Sequence, residues 1–134
     1  MDITSFEDLL TAARQQREPQ RLLFVFAQAE LPPGSTPEQA ARFKAGAGGA
    51  LTPLMCVDKT PDELSSFAAL AEESRQFGQD WALVFASSLS GQGGRAPSSQ
   101  DADAPLQRMV AAIKAGTLGQ FIPFNPQGEP VRLA

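Results

Sequence analysis

The chain has 134 residues, of which 43% are hydrophobic and 19% charged, and this is the composition of an ordinary globular protein rather than a disordered one. Its length predicts a single domain over residues 1–134 with one core. The formal net charge is −4 and the Lys and Arg residues are scattered, so there is no basic stripe for phosphates and we expect no nucleic-acid partner.

The first residues and the cysteine content bear on location. The segment that begins Met1-Asp-Ile-Thr-Ser lacks the cationic start and apolar core of a signal peptide, and no apolar run approaches the ~20 residues that span a bilayer. We therefore expect a cytoplasmic protein with no membrane partner. The single cysteine, Cys56, excludes an internal disulfide and a metal site made of cysteines alone.

Residues 4–16 predict an amphipathic helix. Thr4, with Glu7 three residues later, resembles a capping box at its start. The apolar residues recur at i, i+3, i+4 and i+7, which is one face of a helix. They are Phe6, Leu9, Leu10 and Ala13.

The almost unbroken apolar run from Arg21 to Ala27 predicts the first strand, covered on both faces, although periodicity alone leaves a buried helical turn open. A short helix is expected over 36–45, where a threonine cap and a first-turn proline start it and the glycines at 46–49 end it.

Residues 51–57 predict the second strand. Pro53 cannot donate to a strand ladder, so either the strand begins there or it lies at a sheet edge. We favour a start near Leu54.

The sequence Thr60-Pro-Asp-Glu63 has a cap, a proline at the first helical position and acids in the first turn. It predicts a helix that runs to Phe77 and is ended by Gly78. The third strand is expected directly afterwards, from Trp81 to Ser88.

A polar loop over 90–103 separates this strand from a last helix, which Gly116 closes. In the tail, Asn125-Pro-Gln-Gly128 has the residue types of a type I turn. We expect a C-terminal hairpin at the sheet edge, where its prolines are tolerated. The apolar positions of the last helix again follow the helical spacing and are Leu106, Met109, Val110 and Ile113.

Taken in order, the elements read αβαβαβα followed by a hairpin. Strands that alternate with helices favour a three-layer α/β domain, with a largely parallel or mixed sheet between the helices. In such a sheet the segments that follow the strands meet at one end, where ligands usually bind. We therefore expect Gln28 and Glu30 to lie beside Asp58, Lys59 and the serines after the third strand.

That sheet end yields the candidate ligand-binding residues. A carboxylate, an ammonium group and a glycine-rich loop followed by Arg95 favour a small anionic ligand. A mobile surface loop and a capped helix beside a solvated ion pair explain the same residues. The candidates are Asp58, Lys59, Ser88, Ser90, Gly91, Gly93, Gly94 and Arg95.

The chain has no histidine, so acid–base chemistry near neutral pH would need a perturbed Asp, Glu, Lys or Cys. We expect no catalytic residue, no metal site and no cofactor. Cys56 is interpreted as a buried thiol, with a reactive thiolate near Lys59 as the alternative. Asp101 and Asp103 form a D-x-D pattern that fits capping of the last helix better than a hard metal ion.

The tail suggests contact with a second chain. Phe121, Ile122 and Phe124 on an edge hairpin could pair with another strand, so a homodimer or a protein partner through this hairpin is expected.

Four blocks carry a resemblance to a known family: Thr4-Ser-Phe-Glu-Asp-Leu-Leu10, Arg21-Leu-Leu-Phe-Val-Phe-Ala27, Pro53-Leu-Met-Cys-Val-Asp-Lys-Thr-Pro61 and Glu73-Ser-Arg-Gln-Phe-Gly-Gln-Asp-Trp81. Over nearly its whole length the chain resembles a family of short, uncharacterised proteobacterial proteins that often carry the label ribonucleotide reductase alpha subunit. The residues contradict this label as an activity. That enzyme needs a redox cysteine pair, a radical-bearing cysteine and a far larger barrel, whereas this chain has only Cys56.

The sequence patterns together predict a small cytoplasmic protein without catalysis of its own, and the resemblance implies that it is bacterial. We expect it to act as a binding or accessory module through protein–protein contacts, at its strand ends or its terminal hairpin. The alternative is a binder or enzyme for an anionic small molecule at the strand ends. A thiol-based redox protein is a third possibility and requires an accessible Cys56.

Overall fold

A computed structural model describes residues 5–30, 37–38, 50–64, 66–76, 81–115 and 117–131. Besides a helical pair of residues at 37–38, they form three helices, one 3-10 turn and four strands. In chain order they are α1 (Phe6–Arg14), β1 (Gln20–Glu30), β2 (Ala50–Lys59), the 3-10 turn (Pro61–Glu63), α2 (Phe67–Arg75), β3 (Leu83–Ser90), α3 (Ser99–Ala115) and β4 (Ile122–Phe124).

The four strands form one sheet in the order β2-β1-β3-β4, and every neighbouring pair is antiparallel. Leu22 on β1 lies opposite both Lys59 on β2 and Ser88 on β3. The prediction of a largely parallel or mixed α/β sheet in the order αβαβαβα is therefore wrong, and the fold is α+β. Because β2 and β3 are both antiparallel to β1, they run parallel to each other on either side of it. The alternation of strands and helices along the sequence does not reveal that β1 lies between them.

Both faces of the sheet are covered, so β1 is buried on both sides, as its apolar run predicted. Alternate residues of a strand point to opposite faces, which divides the interior into two cores. The first core lies between the sheet and α1 with α2, and it contains Phe6, Leu9, Leu10, Leu22, Phe24, Phe26, Phe67, Leu70 and Phe124. The second lies between the sheet and α3, and it contains Leu23, Val25, Phe85, Leu106, Met109 and Ile113.

Aromatic rings join the elements of the first core. The ring centroid of Phe6 on α1 lies 5.1 Å from that of Phe67 on α2 and 5.5 Å from that of Phe124 on β4, both in edge-to-face geometry. Trp81 packs edge-to-face on Phe26 at 4.9 Å. Such pairs contribute about 0.5–1.5 kcal/mol each beyond burial, so Phe6 fixes α1 against two other elements.

The helix starts differ in part from the sequence predictions. The side chain of Ser5 caps α1 by accepting from the Asp8 amide at 3.2 Å, while Thr4 lies outside the described residues. The single helix predicted from Thr60 to Phe77 is wrong, because the 3-10 turn ends at Glu63 and Ser66 caps a new helix. Leu64 adopts an extended conformation with its side chain buried in the first core. This burial competes with continuation of the helix.

Some predicted segments fall wholly or partly outside the described residues. Residues 37–38 are helical, but the remainder of the helix predicted over 36–45 and the glycines at 46–49 cannot be compared. The same holds for Gly78 and Gly116.

Strand β2 begins at Ala50, so the favoured start near Leu54 is wrong and the edge placement of Pro53 is right. Pro53 lies opposite Ala27, next to a shift in register that leaves Leu54 as an extra residue on β2. A proline beside a bulge is a common way to protect an edge strand from pairing with another chain.

The C-terminal turn forms as predicted. The Gly128 amide donates to the carbonyl oxygen of Asn125 at 2.9 Å, and Gly128 has a φ of +80°, which glycine adopts without strain. The chain then returns beside β4, where the Val131 amide donates to the carbonyl oxygen of Pro123 at 3.0 Å. This second arm covers the outer side of β4.

Candidate functional site

The antiparallel sheet separates the residues that the sequence analysis placed at one end. Gln28 lies opposite Thr52, near the start of β2, whereas Asp58 and Ser88 lie near the start of β1. The expectation that Gln28 and Glu30 join the other candidates is therefore wrong. The remaining candidates do share one end of the sheet, where β1 begins and β2 and β3 finish, and we call it the β1-start end.

Asp58 holds three elements together at this end. Its Oδ2 accepts from Nε of Arg21 at 2.6 Å, and its Oδ1 accepts from Oγ of Ser99 at the start of α3 at 3.1 Å. Both side chains of the ion pair are largely buried, at 13% exposed for Arg21 and 16% for Asp58. Because both carboxylate oxygens are occupied within the chain, Asp58 acts as a structural link between β1, β2 and α3.

Lys59, the next residue, points to the opposite face. Its Nζ forms an ion pair with Oε1 of Glu73 on α2 at 2.9 Å. The sheet thus lies between the carboxylate of Asp58 and the ammonium of Lys59, and the two charged groups do not form one site.

Ser88 and Ser90 are both bound to the buried side chain of Gln20. Ser88 Oγ donates to Gln20 Oε1 at 2.6 Å, and Gln20 Nε2 donates to Ser90 Oγ at 2.8 Å. Gln20 is 7% exposed, and its side chain lies on the face of α1 and α2. The sequence analysis missed this residue, although a single glutamine at the head of a buried apolar run was a possible signal.

The glycine-rich segment forms a tight hairpin turn. Gln92 and Arg95 exchange two backbone hydrogen bonds, at 3.1 and 3.0 Å, across Gly93 and Gly94, whose φ values are +60° and +79°. Positive φ at both central residues is the type I′ geometry that favours glycine. The Gly94 amide donates to Oε2 of Glu18 at 2.8 Å, so a carboxylate of the chain itself occupies it.

Gly91 is needed for a different reason. It is buried, and a Cβ atom there would lie 2.1 Å from the carbonyl oxygen of Arg95 and 3.1 Å from that of Pro19. The close approach of these backbones requires glycine. The loop predicted over 90–103 is also shorter than expected, because α3 begins at Ser99.

A cavity of about 310 Å³ lies between the end of β3 and the start of α3. It brings together three of the candidates, Ser90, Gly91 and Arg95, with Leu89 and Asp101. The side chain of Arg95 is exposed, and no described acidic group lies within ion-pair distance of it. Asp58, Lys59 and Ser88 do not line this cavity.

Asp101 caps α3, as predicted. Its carboxylate accepts from the Ser98 amide at 2.9 Å, and its own amide donates to Ser98 Oγ at 3.1 Å. Hydrogen bonding of the carboxylate, first to the Ser98 amide and then to the Ser98 side chain, lowers the pKa of Asp101, because it favours the charged form. Among the described residues, no group of three or more acidic, cysteine or histidine side chains is placed to hold a metal ion.

Cys56 is exposed, so its interpretation as a buried thiol is wrong. Partial burial of the thiol and the charges of Asp103 and Asp58 raise its pKa. A raised pKa lowers the thiolate fraction near neutral pH, which disfavours nucleophilic or redox chemistry at this sulfur.

The apolar side chains of the hairpin pack against the two cores. Phe124 is fully buried in the first core, and Ile122 packs against that core while Phe121 packs against the second. Their apolar surface is largely used within the chain.

The structure also reveals an open sheet edge that the sequence did not predict. β4 pairs with only three residues of β3, Val84 to Ala86, whereas β3 continues to Ser90. Along the part of the chain that the structure describes, no strand lies beside Ser88 to Ser90 on the side away from β1.

A groove of about 240 Å³ adjoins this open edge on the face of α1. Apolar side chains from α1, β1 and β4 line it together with the Ser88 region of β3 and two exposed glutamines. The lining includes Leu9, Ala12, Ala13, Leu22, Ile122, Gln16 and Gln120.

No family model matches this chain, and no curated protein and no solved structure matches it. The resemblance noted above therefore stays a prediction. None of the helices within the described ranges has both the length and the apolar character needed to cross a bilayer.

Proposed function

We propose that this protein is a non-catalytic binding module that accepts an extended segment of a partner protein as an extra strand beside β3. The observation that supports the proposal is the open edge of β3 at Ser88 to Ser90, flanked by a groove on one face and a cavity on the other. Addition of a strand to a free sheet edge is a common mode of peptide recognition. A cytoplasmic location is part of the proposal.

The hydrogen-bond pattern of the sheet gives the direction of the free backbone groups. The Gly91 amide donates to the carbonyl oxygen of Pro19 at 2.8 Å, one residue beyond the pair Gln20 and Ser90. In an antiparallel ladder, hydrogen-bonded and non-hydrogen-bonded pairs alternate. The backbone groups of Ser87 and Leu89 therefore face β1, and those of Ser88 and Ser90 face the open edge.

The pairing of β4 agrees with this alternation. Ala86 and Val84 lie opposite Ile122 and Phe124 of β4. Their backbone groups face away from β1, as those of Ser88 do. The carbonyl oxygen of Pro123, between Ile122 and Phe124, faces away from β3 and accepts from the Val131 amide. A partner strand would therefore lie beside Ser88 and Ser90, next to the turn at 118–121 through which the chain enters β4, and its backbone could form up to four hydrogen bonds with these two serines.

The opposite edge of the sheet is less suited to this role. β2 is the outer strand there, but Pro53 and the extra residue Leu54 interrupt its middle. Such features disfavour pairing with another chain. The open part of β3 contains neither a proline nor a register shift.

The polar groups around the β1-start end favour binding over catalysis. Asp58 is paired with Arg21, Lys59 with Glu73, and both serines with Gln20. These contacts restrain the side chains at the end of the sheet, and fewer side chains left to order reduce the entropic cost of binding an extended segment.

Peptide selection combined with amide exchange tests the proposal. Linear peptides selected from a displayed random library against the whole chain are expected to slow exchange at the Ser88 and Ser90 amides, measured by NMR. The neighbouring amides of Ser87 and Leu89 serve as internal controls, because the β1 ladder already protects them. The proposal fails if no peptide is selected, or if the selected peptides leave Ser88 and Ser90 unchanged.

A second copy of the chain could supply the extra strand, which differs from the homodimer through the C-terminal hairpin that the sequence analysis expected. In that case, protection of Ser88 and Ser90 would rise with protein concentration without any peptide. This result would overturn the proposal in favour of self-association.

A second candidate function, binding of an anionic small molecule, is favoured by one observation. Arg95 lines the 310 Å³ cavity without an acidic partner among the residues described. Thermal-shift titration with inorganic phosphate and nucleotides tests it, since a ligand at 100 times its dissociation constant adds about 2.7 kcal/mol to stability. A shift that Arg95→Ala removes would support this function, and flat titrations would contradict it.

A further inference from the structure

We infer that the partner segment runs antiparallel to β3 over three successive positions, opposite Ser90, Leu89 and Ser88, and presents an acidic residue at the middle position and an apolar residue opposite Ser88. This inference rests on the proposed strand addition. It follows from the sheet face to which each partner side chain would point, and from the residues of this chain that lie on that face.

The direction follows from β4. β4 is antiparallel to β3, and its residues opposite Ala86 and Val84 are in line with the open positions. At an antiparallel site, one partner residue can exchange both of its backbone hydrogen bonds with Ser88, and the residue two positions away can do the same with Ser90.

The two outer positions of the partner would face α1. Residues directly opposite each other in a sheet have their side chains on the same face. Ser88 and Ser90 are on the face of α1, because both hydrogen-bond Gln20 on that face. Ser88 lines the groove, so the partner side chain opposite Ser88 would enter it beside Leu9 and Ile122.

The groove favours apolar side chains. Most of its lining residues are apolar, and the hydroxyl of Ser88 is directed toward Gln20 rather than into open space. Ser88 and Ser90 are also small, so they leave room above the sheet. Burial of an aliphatic side chain here would be favourable, at roughly 25 cal/mol per Å² of apolar surface.

The middle position would face α3. It lies opposite Leu89, which packs against the second core and lines the 310 Å³ cavity with Arg95 and Asp101. The Asp101 carboxylate already accepts a hydrogen bond from the Ser98 amide at the start of α3, where a negative charge is favoured. Arg95 has no described acidic partner, so an acidic side chain at this position supplies the missing charge.

Two blocked peptides, used at millimolar concentration, test the pattern. Both have the order threonine, valine, X, valine, threonine, with glutamate as X in the first and lysine in the second. We expect the glutamate peptide to bind more tightly, on the order of fivefold for an exposed charge pair. The preference should reverse with Arg95→Glu and weaken at high salt.

The possible results separate the inference from the function. Equal binding of both peptides, with protection of Ser88 and Ser90, would overturn the acidic pattern and leave strand addition intact. The same conclusion holds if library-selected peptides protect these amides and neither designed peptide does. If no peptide of any kind protects them, strand addition itself fails.

Discussion

Arg21 on β1 donates a hydrogen bond from Nε to Oδ2 of Asp58 on β2 at 2.6 Å, and both side chains are largely buried. Arg21 also reaches the carbonyl oxygen of Pro97 at 3.4 Å, and Asp58 reaches Ser99. This pair therefore joins two neighbouring strands to the segment that starts α3.

The Asp58→Ala change is expected to destabilise the protein by about 2 kcal/mol, somewhat less than the ~3–5 kcal/mol typical of fully buried pairs. It leaves the guanidinium of Arg21 largely buried without its carboxylate. Urea denaturation, followed by the fluorescence of Trp81, measures the difference.

A matched control is Glu72→Ala. Glu72 pairs with Arg75 at the same 2.6 Å distance, but both side chains are about two-thirds exposed, at 66% and 67%. Its loss should cost less than about 0.5 kcal/mol. Equal losses for the two variants would contradict a structural role for Asp58.

The Gly91→Ala change is expected to destabilise the chain by about 2 kcal/mol or more, because the new Cβ would collide with the backbone oxygen of Arg95. Gly119 is the control, since a Cβ there meets no atom within 4 Å and its φ is not positive. Thermal melts of both variants check the prediction. If Gly91→Ala is as stable as Gly119→Ala, the close approach is not a constraint.

Acid should weaken the 3-10 turn. Oε1 of Glu63 accepts from the amide and the hydroxyl of Thr60, at 2.9 and 3.0 Å, and these bonds lower the pKa of Glu63 in the folded state. A lowered folded pKa stabilises the protein above the pKa of the unfolded chain, and this gain is lost as the pH falls through the folded pKa.

Glu63→Gln is expected to reduce this acid dependence. Glu63 is exposed, so the difference at neutral pH should be no more than about 0.5 kcal/mol. Denaturant midpoints between neutral and acidic pH measure it, with Asp62→Asn as the control in the same turn. A steeper acid loss in Glu63→Gln than in the wild type would show that the sign is wrong.

Cys56 should react slowly despite its exposure. Its pKa is raised by partial burial and by the charges of Asp103 and Asp58, so less thiolate is present at a given pH. The pH profile of labelling by a thiol reagent should have a midpoint above that of glutathione. Asp103→Asn should lower the midpoint and increase the rate. A midpoint below that of glutathione would restore the redox hypothesis.

Much of the local structure could be predicted from the sequence. The spacing of Phe6, Leu9 and Leu10 identified the buried face of α1, and the residues Asn125 to Gly128 identified the C-terminal turn. These features depend on residues within a few positions of each other, so local propensity and hydrophobic periodicity are enough to predict them.

The candidate site could be predicted only in part. Ser90, Gly91 and Arg95 do share a cavity, because they are close in the chain and follow one strand. Asp58 and Lys59 are adjacent in sequence but point to opposite faces of the sheet, and each binds a residue on a different helix. Alternation along β2 implies this split once the strand extends through Lys59, but the sequence prediction ended that strand at Val57.

The sequence by itself determined where the apolar runs, the caps and the turns lie, because these depend on local spacing and backbone preference. Only the tertiary structure decided that β1 lies antiparallel between β2 and β3, that Gln20 binds serines about 70 positions away and that the pairing of β4 with β3 stops at Ala86. The physical reason is that strand pairing satisfies backbone groups with partners distant in the chain, and the composition of an apolar run does not specify in which direction it pairs.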